Sequence, residues 1–146
     1  MESATNDVVV PARSASRALR VSLWIIQVLL GAFFLMAGFA HATQPLAVLA
    51  TQYPWTSSVA VGLLRFIGIA EILGGFGIVL PSLTRIAPAL TPLAAAALVA
   101  LMMLATIFHT MRGELVALPF TLTVAALSAF VAWGRFKRAP ISTRKG

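Results

Sequence analysis

In the stretch LLRFIGIAEILGGFGIVLP, residues 63–81, one guanidinium and one carboxylate stand in an otherwise apolar run. Glu71 is a group that can hold or pass a proton, and Arg65 one that can pair with an anion or bond carbonyl oxygens. A charge at the centre of a bilayer costs roughly 2.5–3.5 kcal/mol on insertion scales, so two in one segment require partners. Wound as a helix, the segment sets Arg65 and Glu71 about 60° to either side of Gly68. They share that sector with Gly68 and Gly75, and Gly74 and Gly77 follow on the same helix, small residues that let helix backbones approach closely in lipid. The sector is therefore expected to face other helices. Counted from Val59, Arg65 lies ~9 Å deep and Glu71 ~18 Å deep. Helical side chains lean toward the N-terminus, so Glu71 is expected to lean toward Arg65 and Arg65 toward the outer surface.

Other polar groups arrive at the same side. His41 closes the first apolar run, and His109, Arg112 and Glu114 surround a tight turn, with Thr106 one turn below His109. Together they predict an outward-facing polar vestibule with Glu71 at its floor. An acid set deep behind a titratable histidine suits proton relay or a hydrogen bond to a ligand oxygen. Each residue also has a structural role open to it. Arg65 can bond loop carbonyls, Glu71 can clasp a neighbouring helix, and the histidines can sit as interfacial side chains. Arg112 and Glu114 can form an ordinary salt bridge in the turn, and Gln27 an interhelical hydrogen bond. No i, i+4 histidine pair or Glu-x-x-His sequence points to a metal site. No glycine loop points to a nucleotide, and no nucleophile–base pair to hydrolysis.

The elements that must position these groups follow from hydropathy. The chain has 146 residues, 60% hydrophobic and 10% charged, against roughly a quarter charged in soluble domains. Four apolar runs are long enough to cross a bilayer, predicting helices over about 21–40, 59–80, 88–110 and 115–134. The expected fold is an all-α four-helix transmembrane bundle over residues 21–135. A short N-terminal tail (1–20, of which 1–12 is expected to be disordered) and a basic tail (136–146) flank it. The first apolar run exceeds the ~7–15 residues of a signal-peptide core, so it is expected to stay as the first helix. Of the loops, His41–Ser58 holds Tyr53, Pro54 and Trp55, aromatics suited to the headgroup level. The brief 111–114 turn forces the last two helices to be antiparallel neighbours.

With both ends inside, Arg112 is the one basic residue in the outer loops, and the remaining flanking Lys and Arg fall on the inner side. The positive-inside rule then predicts both termini cytoplasmic. The net charge of +7 is thus spent on topology and does not indicate nucleic acid. Cysteine is absent, which excludes thiolate metal ligands and thiol–disulfide exchange by this chain.

The spacing Arg65-x-x-Gly68-x-x-Glu71-x-x-Gly74-x-x-Gly77-x-x-x-Pro81 resembles the second-helix pattern of DoxX-like membrane proteins. The similarity continues through Pro88, Leu90-Thr91-Pro92-Leu93-Ala94-Ala95, Ala105-x-x-x-His109-x-x-Arg112-Gly113-Glu114 and Gly134-Arg135, covering about residues 22–136. One departure stands out: where that family often carries a lysine after a Phe-x-x-Gly motif, Phe34 to Gly38 here leads to His41. The resemblance implies a small bundle in a membrane, here the bacterial cytoplasmic (inner) membrane. Relatives include the membrane subunit of a thiosulfate:quinone oxidoreductase, and wider relatives include receptors and a chaperone. Two readings follow. In the first, the chain is a membrane subunit of a quinone-linked oxidoreductase system, with quinone as ligand, no intrinsic cofactor and a redox protein partner. In the second it is a non-catalytic, chaperone-like membrane interaction or assembly protein, whose vestibule clasps the bundle or grips another membrane protein; a homo-oligomer is open under either reading. The residues by themselves do not decide whether the chain is an enzyme.

Overall fold

The computed structural model describes residues 15–144; the 1–12 segment, Arg13 and Lys145 lie outside them. Four long helices carry the fold: α1 (Arg17–Thr43), α3 (Val61–Thr84), α4 (Leu90–Met111) and α5 (Leu118–Trp133). A short α2 (Leu46–Gln52) and a 3-10 turn (Pro54–Ser58) lie between α1 and α3. No strand forms among the described residues. The fold is therefore the expected all-α transmembrane bundle, and four helical segments are long and apolar enough to span a bilayer, the last counted from Leu115 to Arg138.

Local chemistry sets the helix limits. The Ser16 hydroxyl caps α1 by accepting from the Leu19 N–H at 3.2 Å, and Pro45 prevents its continuation past Gln44. Pro81 does not end α3, as the sequence pattern implied; the helix runs on to Thr84 and stops where Arg85 turns left-handed at φ 61°. Arg85 and Ala87, both at positive φ, make the tight α3–α4 connection. Helix α4 closes on Gly113 at φ 71°, with Gly113 N–H on the Thr110 carbonyl and Glu114 N–H on that of His109. That is a Schellman cap, and it turns the chain straight into α5, whose first turn holds Pro119. At its far end α5 widens into a π-helical turn, Gly134–Arg138.

The helices alternate in direction, α1 packing mainly on α3 and α4 on α5. One end of the bundle carries the α1–α3 loop and the α4–α5 turn, here the loop end. The other carries the start of α1, the π-helical turn and the α3–α4 connection, here the terminal end. Between α1 and α3 the contact is backbone on backbone. A Cβ built on Gly68 would lie 2.6 Å from Ala42 N and 2.8 Å from the Gly38 carbonyl oxygen. Gly75 meets the Gly31 carbonyl in the same way, and Gly74 and Gly77 receive Leu98 and Ala94 of α4. Of the five glycines of α3, Gly68, Gly74, Gly75 and Gly77 are thus packing residues, while Gly62 faces open space. Helix α1 ends level with Gly68, seven residues into α3, so it stops ~10 Å short of the start of α3. Helix α2 and the 3-10 turn fill that recess.

Leu23, Leu30, Phe34, Ile78, Leu98 and Val131 form the packed interior, while Phe66, Leu73, Leu104 and Ile86 point outward. Polar groups are mostly drawn inward: Gln27, Glu71, Ser82, Thr91, Thr121 and Ser128 are buried. An apolar exterior over a partly polar interior is the arrangement lipid solvent demands.

Candidate functional site

The recess above α1 positions the central pair. His41, two residues before the α1 terminus at Thr43, sits beside Glu71, and Nδ1 lies 2.6 Å from Oε2. Both residues are 5% exposed, so the contact is desolvated and strong for its length. The partner of Glu71 is thus His41 and not Arg65. Arg65 instead donates to two carbonyls at the end of α1, that of His41 at 2.6 Å and that of Gln44 at 2.7 Å. Those carbonyls are left over by the helix terminus, and the guanidinium satisfies them with charge as well as hydrogen bonds. Backbone and side chain of His41 are therefore both held by α3.

A second carboxylate–histidine pair lies in the α4–α5 turn. His109 Nδ1 is 2.6 Å from Glu114 Oε2, and Arg112 binds the other oxygen, Oε1, through Nε and Nη2, each at 2.8 Å. The Arg112 bond, reinforced by that from His109, holds the Glu114 carboxyl below its ordinary value. Thr106 bonds the Thr121 hydroxyl at 2.8 Å and the Met102 carbonyl, linking α4 to α5.

Between the two histidines stands Trp55, its ring 5.4 Å from that of His41 and 6.1 Å from that of His109. Tyr53 also meets His41 edge-on, and Phe108 meets Trp55 and His109. These rings line a cavity of about 580 Å³ into which His41, Glu71, His109 and Thr121 bring the polar groups. Its wall is otherwise apolar, from Phe33, Phe66, Leu104 and Phe120 among others. Arg65, Arg112, Glu114 and Thr106 do not line it; they brace residues that do. Tyr53, Trp55 and Phe120 join the site beyond the residues the sequence points to; the aromatic content of the 41–58 loop is a signal for the first two, and Phe120, inside the apolar α5, carries none.

His41 Nε2 is buried and has no hydrogen-bond partner. With Nδ1 occupied by Glu71, this is the free valence of the pair, and His41 is one of the residues that line the aromatic cavity. Each histidine has one carboxylate beside it, and no cluster of three metal-ligating side chains gathers among the described residues.

Four apolar spans around a desolvated carboxylate–histidine pair define a multi-pass integral membrane protein of the small-bundle class. The DoxX-like family model matches residues 25–131, and the chain belongs to the DoxX-like family. No curated protein and no solved structure gives a significant match.

Proposed function

We propose that the loop-end cavity binds the ring of a quinone and that the chain serves as a membrane subunit of a quinone-linked oxidoreductase system. It would lie in the bacterial cytoplasmic membrane with both termini cytoplasmic, a sidedness supported by Arg20, Arg85, Lys137 and Arg138 at the terminal end. The observation that carries the reading is the unpartnered Nε2 of His41, a residue that lines the aromatic cavity, with Nδ1 fixed by Glu71. The volume of about 580 Å³ falls within the ~300–1,000 Å³ usual for small-molecule sites.

The chain's own part is binding and proton exchange. With a proton on Nδ1 directed at Glu71, Nε2 presents a lone pair that can take the proton of a quinol hydroxyl. The resulting imidazolium is then stabilised by the adjacent carboxylate, as in other base–orienter pairs. In the reverse direction the doubly protonated ring donates to a carbonyl oxygen. Electrons are exchanged with the redox centre of a partner protein, which supplies the chemistry that this bundle frames.

Binding is testable because Trp55 lines the cavity while the other two tryptophans lie at the terminal end. In nanodiscs, a Trp24→Phe/Trp133→Phe protein should show saturable quenching of Trp55 by a short-chain quinone. Adding His41→Phe should weaken that binding about fivefold, the worth of one hydrogen bond of about 1 kcal/mol. Quenching that never saturates, or an affinity indifferent to His41→Phe in a protein that still folds, would remove the proposal.

A second reading is favoured by the two Arg65 bonds to the α1 terminus. They and the His41–Glu71 contact would then be a clasp within an interaction or assembly protein. Under that reading Glu71→Gln, which keeps a hydrogen bond, leaves every property intact. Mild solubilisation would bring down a membrane client and no oxidoreductase.

A further inference from the structure

A second cavity, of about 560 Å³, opens at the terminal end. Five cationic side chains line it: Arg20 from α1, Arg85 from the α3–α4 connection, and Arg135, Lys137 and Arg138 from the π-helical turn. The chain has four acidic residues, of which Glu71 and Glu114 are among the described ones, and both lie at the loop end. No described carboxylate therefore reaches this cluster.

Arg135 shows that the cluster is built and is not a loose basic fringe. The π turn swings it inward until it is 5% exposed, with Gly134 backed directly against Leu23. Its Nε donates to Gln27 Oε1 at 2.6 Å, and Gln27 in turn donates through Nε2 to the Ile78 carbonyl at 2.7 Å. Nη1 reaches the Ala139 carbonyl at 3.3 Å, and the guanidinium stacks over Trp24 at 5.2 Å. Nη2 is buried without any partner. One amide, one ring and one carbonyl thus orient a buried cation, and all of its partners are neutral. A charge so placed is costly unless an opposite charge meets it. The Arg144 N–H bonds the Arg85 carbonyl at 3.2 Å, drawing the segment after the π turn across one side of the cavity.

We infer that this terminal-end cavity is a binding site for a phosphate oxyanion, taken by Arg135 at its base and by Arg20, Arg85, Lys137 and Arg138 around its mouth. Guanidinium groups bind phosphate oxygens through paired N–H donors. The cavity sits where four spans end, at the level of lipid phosphates, and basic pockets at such places take anionic headgroups. An anionic phospholipid is thus the favoured source, with a free phosphate compound sharing the same chemistry.

The whole chain, solubilised mildly with equal phosphatidylglycerol and phosphatidylcholine, should retain one phosphatidylglycerol preferentially in native mass spectrometry. Arg85→Gln/Arg138→Gln, two side chains outside the buried network, should lower that retention about thirtyfold at about fivefold per charge. Arg17→Gln/Arg144→Gln removes the same charge from residues that do not line the cavity and should leave retention within about twofold. A parallel titration with inorganic phosphate, followed by phosphorus NMR, separates the sources. Retention of the lipid without phosphate binding assigns a headgroup, whereas saturable phosphate binding lost in the Arg85/Arg138 variant assigns a free anion; either outcome upholds the site. Equal losses in the two double variants, or no discrimination against phosphatidylcholine together with no phosphate binding, would overturn it.

Discussion

Replacing Glu71 by leucine strands both nitrogens of a buried imidazole. In the native protein His41 Nδ1 is satisfied at 2.6 Å and Nε2 is not. Leucine fills the space of the acid but leaves Nδ1 without a partner, at a desolvation cost of about 1–3 kcal/mol. His41→Phe alone strands the carboxylate, with a cost at least as large. If both penalties come from one broken contact, the double variant Glu71→Leu/His41→Phe should recover much of the loss, since two apolar groups then face each other. Hydrogen bonds between membrane helices couple by about 0.6 kcal/mol on average and about 1.7 at most, and charge assistance roughly doubles such bonds. A coupling energy of about 1–3 kcal/mol is therefore expected. Steric trapping in bicelles, which measures unfolding without leaving the bilayer, would supply the four free energies of the cycle. Costs that simply add, to within about 0.3 kcal/mol, would show that the pair is not an energetic unit, and the reasoning about a clasped, oriented histidine would fail.

Other outcomes are as definite. Gly68→Ala drives a methyl into the backbone of Ala42 and Gly38, which no rotamer change relieves. It should cost about 1–3 kcal/mol in the same unfolding assay, and Gly62→Ala, with open space around its Cβ position, should be free of that clash. The Glu114 carboxyl should titrate below its ordinary 4.5, and Arg112→Gln should raise its midpoint toward that value in carbon-detected NMR. Because the folded value is the lower one, the contribution of this contact is complete above about 4.5 and fades as pH falls through the folded value.

How much of this was legible in the sequence differs from element to element. The four spans were, because hydropathy over twenty residues reports burial in lipid directly. The continuation of α3 past Pro81 was not, since a proline in a membrane helix is tolerated where neighbouring groups absorb the lost hydrogen bond. The pairing of His41 with Glu71 was hidden for a different reason. Depth counted along each helix assumes that helices end level, whereas α1 stops about two turns short of α3 and brings His41 down to the acid. Glycines at 38 and 68 carried the only trace of that offset. Arg135 read as one more flanking charge, because a π turn leaves no periodicity to detect and its burial depends on Gln27, 108 positions away.

Phe66 and Leu104 both line the loop-end cavity and are 67% and 65% exposed on the outside of the bundle. If the cavity takes a ligand as proposed, these two side chains, each with one flank inside and the other on the outer face, would make a side door, not a roof hatch. A ligand dissolved in the membrane would then arrive by two-dimensional diffusion, already stripped of water and at the high local concentration that partitioning provides. Selection by solubility would thus precede recognition by His41.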